Sequence, residues 1–253
     1  MINKIISEEL VKEMVQNGVV LGHKKSKTHP KMKQFIAGNR NELEILNPAA
    51  TWDSLESAIN FLREAISKGG LVLFVATNAA AKGVIKAFAE EFKYPFVERR
   101  WLGGTITNFS VIRSRISYFE NLREKKEKGE LLKYTKKERS EFDKELGKLS
   151  QNFSGLLVMK KVPDVLFVVD PKEHETAVRE ANLLGIPVVA IMDTNDDPSD
   201  ISNPIYASDH GRQSVEWIMN QIRGAIKPLL PKGYVFHDAR EARSPHKKTN
   251  YER

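Results

Sequence analysis

Three apolar runs constrain the fold of this chain more tightly than any other feature. They are LVLFVAT at 71–77, DVLFVVD at 164–170 and PVVAIMD at 187–193. Each is almost continuously apolar, without the alternation that marks a strand with one wet face. Such a strand must lie in a sheet that is covered on both sides. Helical patterns separate the runs: 79–92 follows the first, and a helix from about Lys172 to Leu184 follows the second. Pro95-Phe96-Val97 and Ile205-Tyr206 read as shorter strands, and His210 to Ile226 as the last helix. Strands alternating with helices predict a parallel sheet with helices on both faces, an α/β fold.

The segment between Thr105 and Ser154 breaks that pattern. Ile106, Phe109, Ile112, Ile116 and Phe119 step by three or four residues, which predicts a long amphipathic helix ending near Gly129. Thr135-Lys136-Lys137-Glu138 fits a capping box, in which Thr135 and Glu138 satisfy each other's free backbone N–H groups. Phe142, Leu146, Leu149 and Phe153 then continue at helical spacing. Two helices on a short link form an antiparallel hairpin, consistent with a coiled-coil arm whose outer faces carry mixed charge.

The part before the first buried run reads as a short helix from Ser7 to Gln16, capped by Ser7, and a basic loop GHKKSKTHPKMK. Strand candidates at Phe35-Ile36 and Leu43 to Leu46 flank a turn at Gly38-Asn39, and Ala50 to Ser67 reads as a helix. The chain thus divides into an α/β domain over 1–104 and 155–227, a hairpin insertion over 105–154, and a basic tail over 228–253 that is expected to be flexible.

Charge narrows the function. Among 253 residues the formal net charge is +7, and the cations are not evenly spread. Lys24, Lys25, Lys27, Lys31, Lys33 and Arg40 follow Gly22 with no acid between them, and the tail adds Arg240, Arg243, Lys247 and Lys248. Clusters of one sign point to an anionic partner, with nucleic acid first. There is no cysteine, which excludes disulfides, thiolate zinc sites and cysteine nucleophiles together. No run of about 18 apolar residues suggests a membrane span, and the acidic, amphipathic start does not resemble a signal peptide. A cytoplasmic location is the expectation.

Enzyme readings find little support. The turn after 71–77, Asn78-Ala79-Ala80-Ala81-Lys82-Gly83, is not a dinucleotide-binding glycine loop. No P-loop and no nucleophile elbow occur. The histidines are scattered, without metal-binding spacing. Asp193-Thr194-Asn195-Asp196-Asp197 ends a strand where α/β sheets place ligands, so Asp193 and Asp197 are weak candidates for a structural metal ion. The same residues followed by Pro198 also make an ordinary turn. A nucleotide- or metal-dependent α/β enzyme remains the alternative to a binding protein, and no cofactor is required by the motifs.

The run RRWLGGTITNF, Arg99 to Phe109, has a glycine pair without the spacing of a phosphate cradle. It sits where the chain leaves the sheet for the hairpin, with Trp101 suited to packing there. Taken with GVVLGHKKSKTHPKMKQFIAGNRNELEILN, the charged hairpin, PDVLFVVDPKEHETAVREANLLGIPVVAIMDTNDDP and PIYASDHGRQSV, it resembles the bacterial-type small-subunit ribosomal protein S2 family over roughly Glu8 to Ile226. The resemblance implies a flavodoxin-like or Rossmann-like three-layer fold with an inserted coiled-coil hairpin. It implies a ribosome-bound, non-catalytic protein that binds small-subunit rRNA near the head–body junction, beside other small-subunit proteins including S1, and supports translation. No homo-oligomer is expected. Some positions depart from the family's usual pattern. Val20 stands where a second histidine is common, Ala207-Ser208-Asp209-His210 where Gly-Asn-Asp-Asp is common, and Asn78 where a basic residue is common. The first two departures weigh against carrying over a metal between those regions.

The rRNA-binding residues expected on this basis are Lys24, Lys25, Lys27, His29, Lys31, Lys33, Arg40, Arg99, Arg100, Thr105, Thr107, Asn108 and Arg113. Lysines act as point charges on phosphate, while arginines can bond it with two N–H groups. The threonines and Asn108 are expected to reach phosphate, ribose or an unpaired base.

Overall fold

A computed structural model describes residues 6–229. The tail over 230–253, with its basic cluster, lies outside the described residues. The three buried runs form β4 (Val72–Val75), β6 (Val165–Val169) and β7 (Val188–Met192), and every residue in them is buried. With β5 (Phe96–Val97) and β8 (Asn203–Tyr206) they make a five-stranded parallel sheet in the order β5-β4-β6-β7-β8. The register is unbroken: Phe74 sits beside Phe167, and Phe167 beside Val189.

The order reverses direction after β5. The β4–β5 crossover through α3 (Lys82–Glu91) moves outward one way, and the β6–β7 crossover through α6 (Glu175–Leu183) moves the other. Right-handed crossovers then place α3 and α6 on opposite faces. Helices α2 (Pro48–Ser67) and α7 (Arg212–Ile226) pack with each other, and α3 packs on α7, covering the α3 face. The three-layer α/β expectation holds.

Ahead of this unit, α1 (Glu8–Gln16) is capped by Ser7, whose Oγ accepts from the Leu10 N–H at 3.3 Å. A second, antiparallel sheet follows in the order β1-β3-β2, from β1 (Leu21–Lys24), β2 (Ile36–Arg40) and β3 (Leu43–Leu46). It corrects two expectations. The basic stretch is not all loop, since it begins with β1 and continues through 3-10 turns at Lys25–Lys27 and Pro30–Phe35. The β2–β3 turn is at Asn41-Glu42, with φ of 51° and 66°, and not at Gly38-Asn39, which pair within the strand. Two consecutive left-handed residues match the twist of a tight hairpin. The 3-10 turn that leads into β2 rests on the larger sheet through Phe35, stacked on Tyr206 at 3.8 Å.

The hairpin forms as its spacing predicts, from α4 (Phe109–Glu127) and α5 (Lys136–Phe153). Ile112, Ile116, Phe119 and Leu122 of α4 are buried, as are Leu146 and Phe153 of α5. The α4 C-terminus closes at Gly129 in the left-handed region (φ 73°). The capping box is complete: Thr135 Oγ1 accepts from the Glu138 N–H, and Glu138 Oε2 accepts from the Thr135 N–H at 2.8 Å. Thr135→Ala is expected to cost about 1 kcal/mol, read as a small fall in the thermal midpoint. Part of the hairpin's outer charge is self-neutralised, with Arg123 on Glu127, Lys128 on Glu124 and Lys126 on Asp143.

Candidate nucleic-acid interface

The basic segment is held by the loop after β7. The His23 N–H donates to Thr194 Oγ1 at 2.9 Å, and the His29 N–H donates to the Thr194 carbonyl at 2.8 Å. His23 Nδ1 lies 3.1 Å from Asp193 Oδ2. Lys31 Nζ reaches Asp197 Oδ1 at 3.1 Å and also bonds Ser199 Oγ. Gly22 permits this close approach, because a Cβ there would meet Thr194 Cγ2 at 2.6 Å and the Glu44 carbonyl at 3.0 Å. Met32, fully buried, anchors the segment from within.

The acidic turn therefore serves as a docking platform. Asp193 takes the Thr194 N–H on Oδ1, and Asp196 takes the Asp193 N–H on Oδ2, which locks the turn. Asp197 caps the short turn at Pro198–Asp200 and faces Lys31 and His29. Its bonds from Ser199, followed by Lys31, hold its carboxyl down at about 2. Among the described residues Asp197 joins no group of converging metal-ligand atoms. Asp193 is grouped instead with His23 and His210, whose donor atoms lie within 4.8 Å of one another. That mixed imidazole–carboxylate set could hold a transition metal. No sequence spacing marks it, because its members come from β1, the loop after β7 and the loop after β8.

The structure divides the expected rRNA residues into three groups. Lys25, Lys27, Lys33, Arg40, Arg99 and Arg100 are exposed, and none has a carboxylate within 4.0 Å among the described residues. Lys24 is shared with Glu42 at 3.4 Å, Lys31 and His29 with Asp197, and Arg113 with Glu120 at 3.6 Å. The third group, Thr105, Thr107 and Asn108 at the entry to the hairpin, is mixed. Thr105 is 1% exposed, and its hydroxyl donates to the Leu102 carbonyl at 2.6 Å, which corrects the expectation that it faces RNA. Thr107 is exposed but spends its hydroxyl proton on Glu180. Asn108 is exposed at the start of α4.

Glu180, on α6, is the residue the sequence reading missed. Its Oε1 accepts from Trp101 Nε1 at 2.9 Å and from the Gly104 N–H at 2.8 Å. Its Oε2 accepts from the Ile106 and Thr107 N–H groups, both at 3.1 Å, and from Thr107 Oγ1 at 3.0 Å. The GGTIT turn is thus an anion cradle after all, filled by a carboxylate of the same chain. Gly104 reaches it with φ 85°, a region costly to any other residue. Burial works against the charge, but the Trp101 indole and the backbone donors outweigh it and hold the carboxyl below its usual range. Trp101 is 9% exposed and packs as expected. Arg99 and Arg100 are left pointing outward beside a rigid anchor.

Both basic groups open along one edge of the parallel sheet. Arg99 and Arg100 follow the carboxyl end of β5, while the basic segment docks at the carboxyl end of β7. Three strand spacings separate those ends, roughly 14 Å. The crevice between β4 and β6, where such sheets bind nucleotides, is crossed by protein contacts. Asn78 Nδ2 donates to the Asp209 carbonyl at 3.3 Å, and Thr77 Oγ1 donates to Glu173 at 3.3 Å. Among the described residues no helix is long and apolar enough to cross a membrane.

Comparison with known proteins gives a consistent result. The family model described as ribosomal protein S2 matches residues 14–228. The small ribosomal subunit protein uS2 of Fusobacterium nucleatum is 43% identical over 217 residues, covering 85% of this chain and 88% of that one. The uS2 protein of Dictyoglomus thermophilum is 42% identical over 217 residues (86% and 88% of the two chains), and that of Rhodopirellula baltica 40% over 221 residues (87% and 85%). With the parallel sheet, the inserted hairpin and the docked basic segment already in place, the chain belongs to the ribosomal protein S2 family.

Proposed function

We propose that this protein is a structural constituent of the small ribosomal subunit that binds small-subunit rRNA through the carboxyl edge of its parallel sheet. One observation carries the reading. In a chain of this family, the exposed cations Lys25, Lys27, Lys33, Arg40, Arg99 and Arg100 have no carboxylate within 4.0 Å among the described residues, and the segments that carry them are the one docked at the carboxyl end of β7 and the one leaving β5. Cations left free by the fold are available to phosphate, and each phosphate they neutralise releases bound counterions. Lys31, His29 and Thr194 hold the basic segment in place, so its lysines are presented in a fixed pattern. Contacts to phosphate and ribose dominate over contacts to base edges, as suits structured RNA. The proposed place is near the head–body junction, ribosome-bound in the cytoplasm, beside other small-subunit proteins with S1 among them. The role is positional and supports translation, with no reaction catalysed.

The test is co-sedimentation with small subunits at low and high salt. Binding at low salt that weakens steeply as salt rises is the expected result. A chain that stays free of subunits at low salt yet binds ATP or NAD tightly would instead support the enzyme alternative. The double variant Arg99→Ala/Arg100→Ala is expected to lower subunit incorporation about tenfold or more, with an unchanged thermal midpoint. Unchanged incorporation would remove this pair from the interface.

A further inference from the structure

Three carboxylates converge at the carboxyl ends of neighbouring strands, beside a pocket that Lys27 of the basic segment also lines. Asp170 follows β6, Asp196 lies in the turn after β7, and Asp209 follows β8. Each brings an oxygen within 4.8 Å of the other two. Asp196 is 1% exposed and Asp209 0%, while Asp170 is half-buried with a left-handed backbone (φ 61°).

Their protein partners satisfy only part of this group. The Asp193 N–H donates to Asp196 Oδ2 at 2.8 Å, the Glu173 N–H to Asp170 Oδ1 at 3.0 Å, and His210 Nδ1 bonds Asp209 Oδ1. Asp196 Oδ1 and Asp209 Oδ2 are fully buried, and neither has a donor among the described residues. A buried carboxylate oxygen without a donor is among the costlier arrangements in a protein interior. Other carboxylates cannot relieve it, since they offer only acceptors. Burial, with repulsion from Asp209 next, pushes Asp196 up to about 8. Burial likewise raises Asp209 to about 6, although its bond to His210 opposes the rise.

We infer that Asp170, Asp196 and Asp209 form a binding site for a hard divalent cation of the Mg2+ class. All the donors are oxygens, the set such cations select. Asp170 opens on a solvent-filled pocket that Lys27, Lys172, Glu173, Asn195 and His210 also line, which gives room for the water that Mg2+ retains. The site lies at the carboxyl ends of adjacent parallel strands, where open α/β sheets place ligands. It shares no residue with the His23–Asp193–His210 group. A bound cation would cover both orphaned oxygens and tie the ends of β6, β7 and β8 together. It would thereby stiffen the Asp193–Asp197 turn that anchors the basic segment.

Mn2+ is the probe, titrated into the metal-stripped full-length protein and read by electron paramagnetic resonance. The expected result is saturable binding of one Mn2+ per chain, displaced by Mg2+, with no nitrogen modulation in the spin-echo envelope. Asp196→Asn should weaken it roughly 10–100-fold, and His23→Ala should leave it unchanged. Wild-type thermal midpoints should rise with Mg2+ concentration, as for any ligand of the folded state, while Asp196→Asn midpoints should not. Absence of stoichiometric Mn2+ binding, with a metal-free Asp196→Asn protein more stable than wild type, would show that the carboxylates share a proton instead. Nitrogen modulation abolished by His23→Ala would place the metal at the imidazole group. Either outcome overturns the inference, and neither bears on RNA binding.

Discussion

Glu180→Gln is expected to lower the unfolding free energy by about 3–5 kcal/mol, one of the largest single-site effects this fold offers. The carboxylate accepts donors on both oxygens: Trp101 and Gly104 on one, Ile106 and Thr107 on the other. Glutamine keeps the shape but replaces one oxygen with an NH2 group. Whichever way the amide turns, at least two N–H donors then face a donor, and each buried orphan costs about 1–3 kcal/mol. For a domain of this size the thermal midpoint should fall by roughly 10 °C. Hydrogen exchange should quicken first at Gly104, Ile106 and Thr107, because they lose their acceptor directly. The effect is also pH-dependent. A carboxyl held below its usual range stabilises the fold fully above the unfolded value of about 4.3, and loses that contribution as pH falls through its lower folded value. The gap between wild type and Glu180→Gln should therefore be widest near neutral pH and narrow in acid. Glu175→Gln is the control. It removes an exposed i,i+4 pair with Arg179 on the same helix and should change stability by less than about 1 kcal/mol. Equal midpoints for the two variants would mean that the cradle does not hold the junction.

That junction also shows where the sequence was legible and where it was not. The buried strands were readable because burial on both faces leaves a mark in every residue of the run. The hairpin was readable because its stripe and capping box are local, the box spanning only Thr135 to Glu138. Glu180 lies 73–79 residues from the groups it binds, and nothing near RRWLGGTITNF announces an acid partner. One signal was present. Ala177, Val178 and Ala181 mark a small-apolar stripe on α6, and Glu180 sits on it at helical spacing. A lone charge on a buried face requires a partner. The glycine pair and the misplaced acid are two halves of one structure, separated by the hairpin and β6.

The antiparallel sheet was misread for a related reason. β1 is four residues long and mostly polar, and its identity comes from pairing with Leu43–Leu46. Neither alternation nor propensity marks such a strand. The Asn41-Glu42 turn carries glutamate in the left-handed region, where the usual signal is glycine. Gly38-Asn39 therefore drew the turn assignment that belonged three residues later. The acidic run Asp193–Asp197 was recognised as a loaded turn, but its tasks are divided. Asp193 holds His23 and Asp197 holds Lys31 of the basic segment, while Asp196 faces Asp170 and Asp209. One-dimensional spacing cannot separate those roles, because each partner lies on a different element.

The quadruple variant Lys25→Ala/Lys27→Ala/Lys33→Ala/Arg40→Ala should lower affinity for small-subunit rRNA by about two to three orders of magnitude at low ionic strength. All four side chains are exposed and lack carboxylate partners among the described residues, so their removal exposes no buried group. Stability should hold within about 0.5 kcal/mol, since surface substitutions away from packing features rarely do more. The decisive measurement is the salt dependence. Each phosphate contact contributes about 0.7–0.9 to the slope of log affinity against log salt. Loss of four contacts should flatten that slope by about 3. Between 50 and 200 mM salt, a slope difference of about 3 closes the gap between variant and wild type by roughly sixtyfold. Lys31→Ala provides the contrast. Its ammonium already faces Asp197 and Ser199, so its loss should loosen the segment while leaving the slope nearly unchanged. A Lys31→Ala slope change as large as one full contact would mean that Lys31 abandons Asp197 for phosphate when RNA binds. An unaltered slope in the quadruple variant would move the RNA footprint off the basic segment altogether. Arg99, Arg100 and the hairpin would then have to carry the binding.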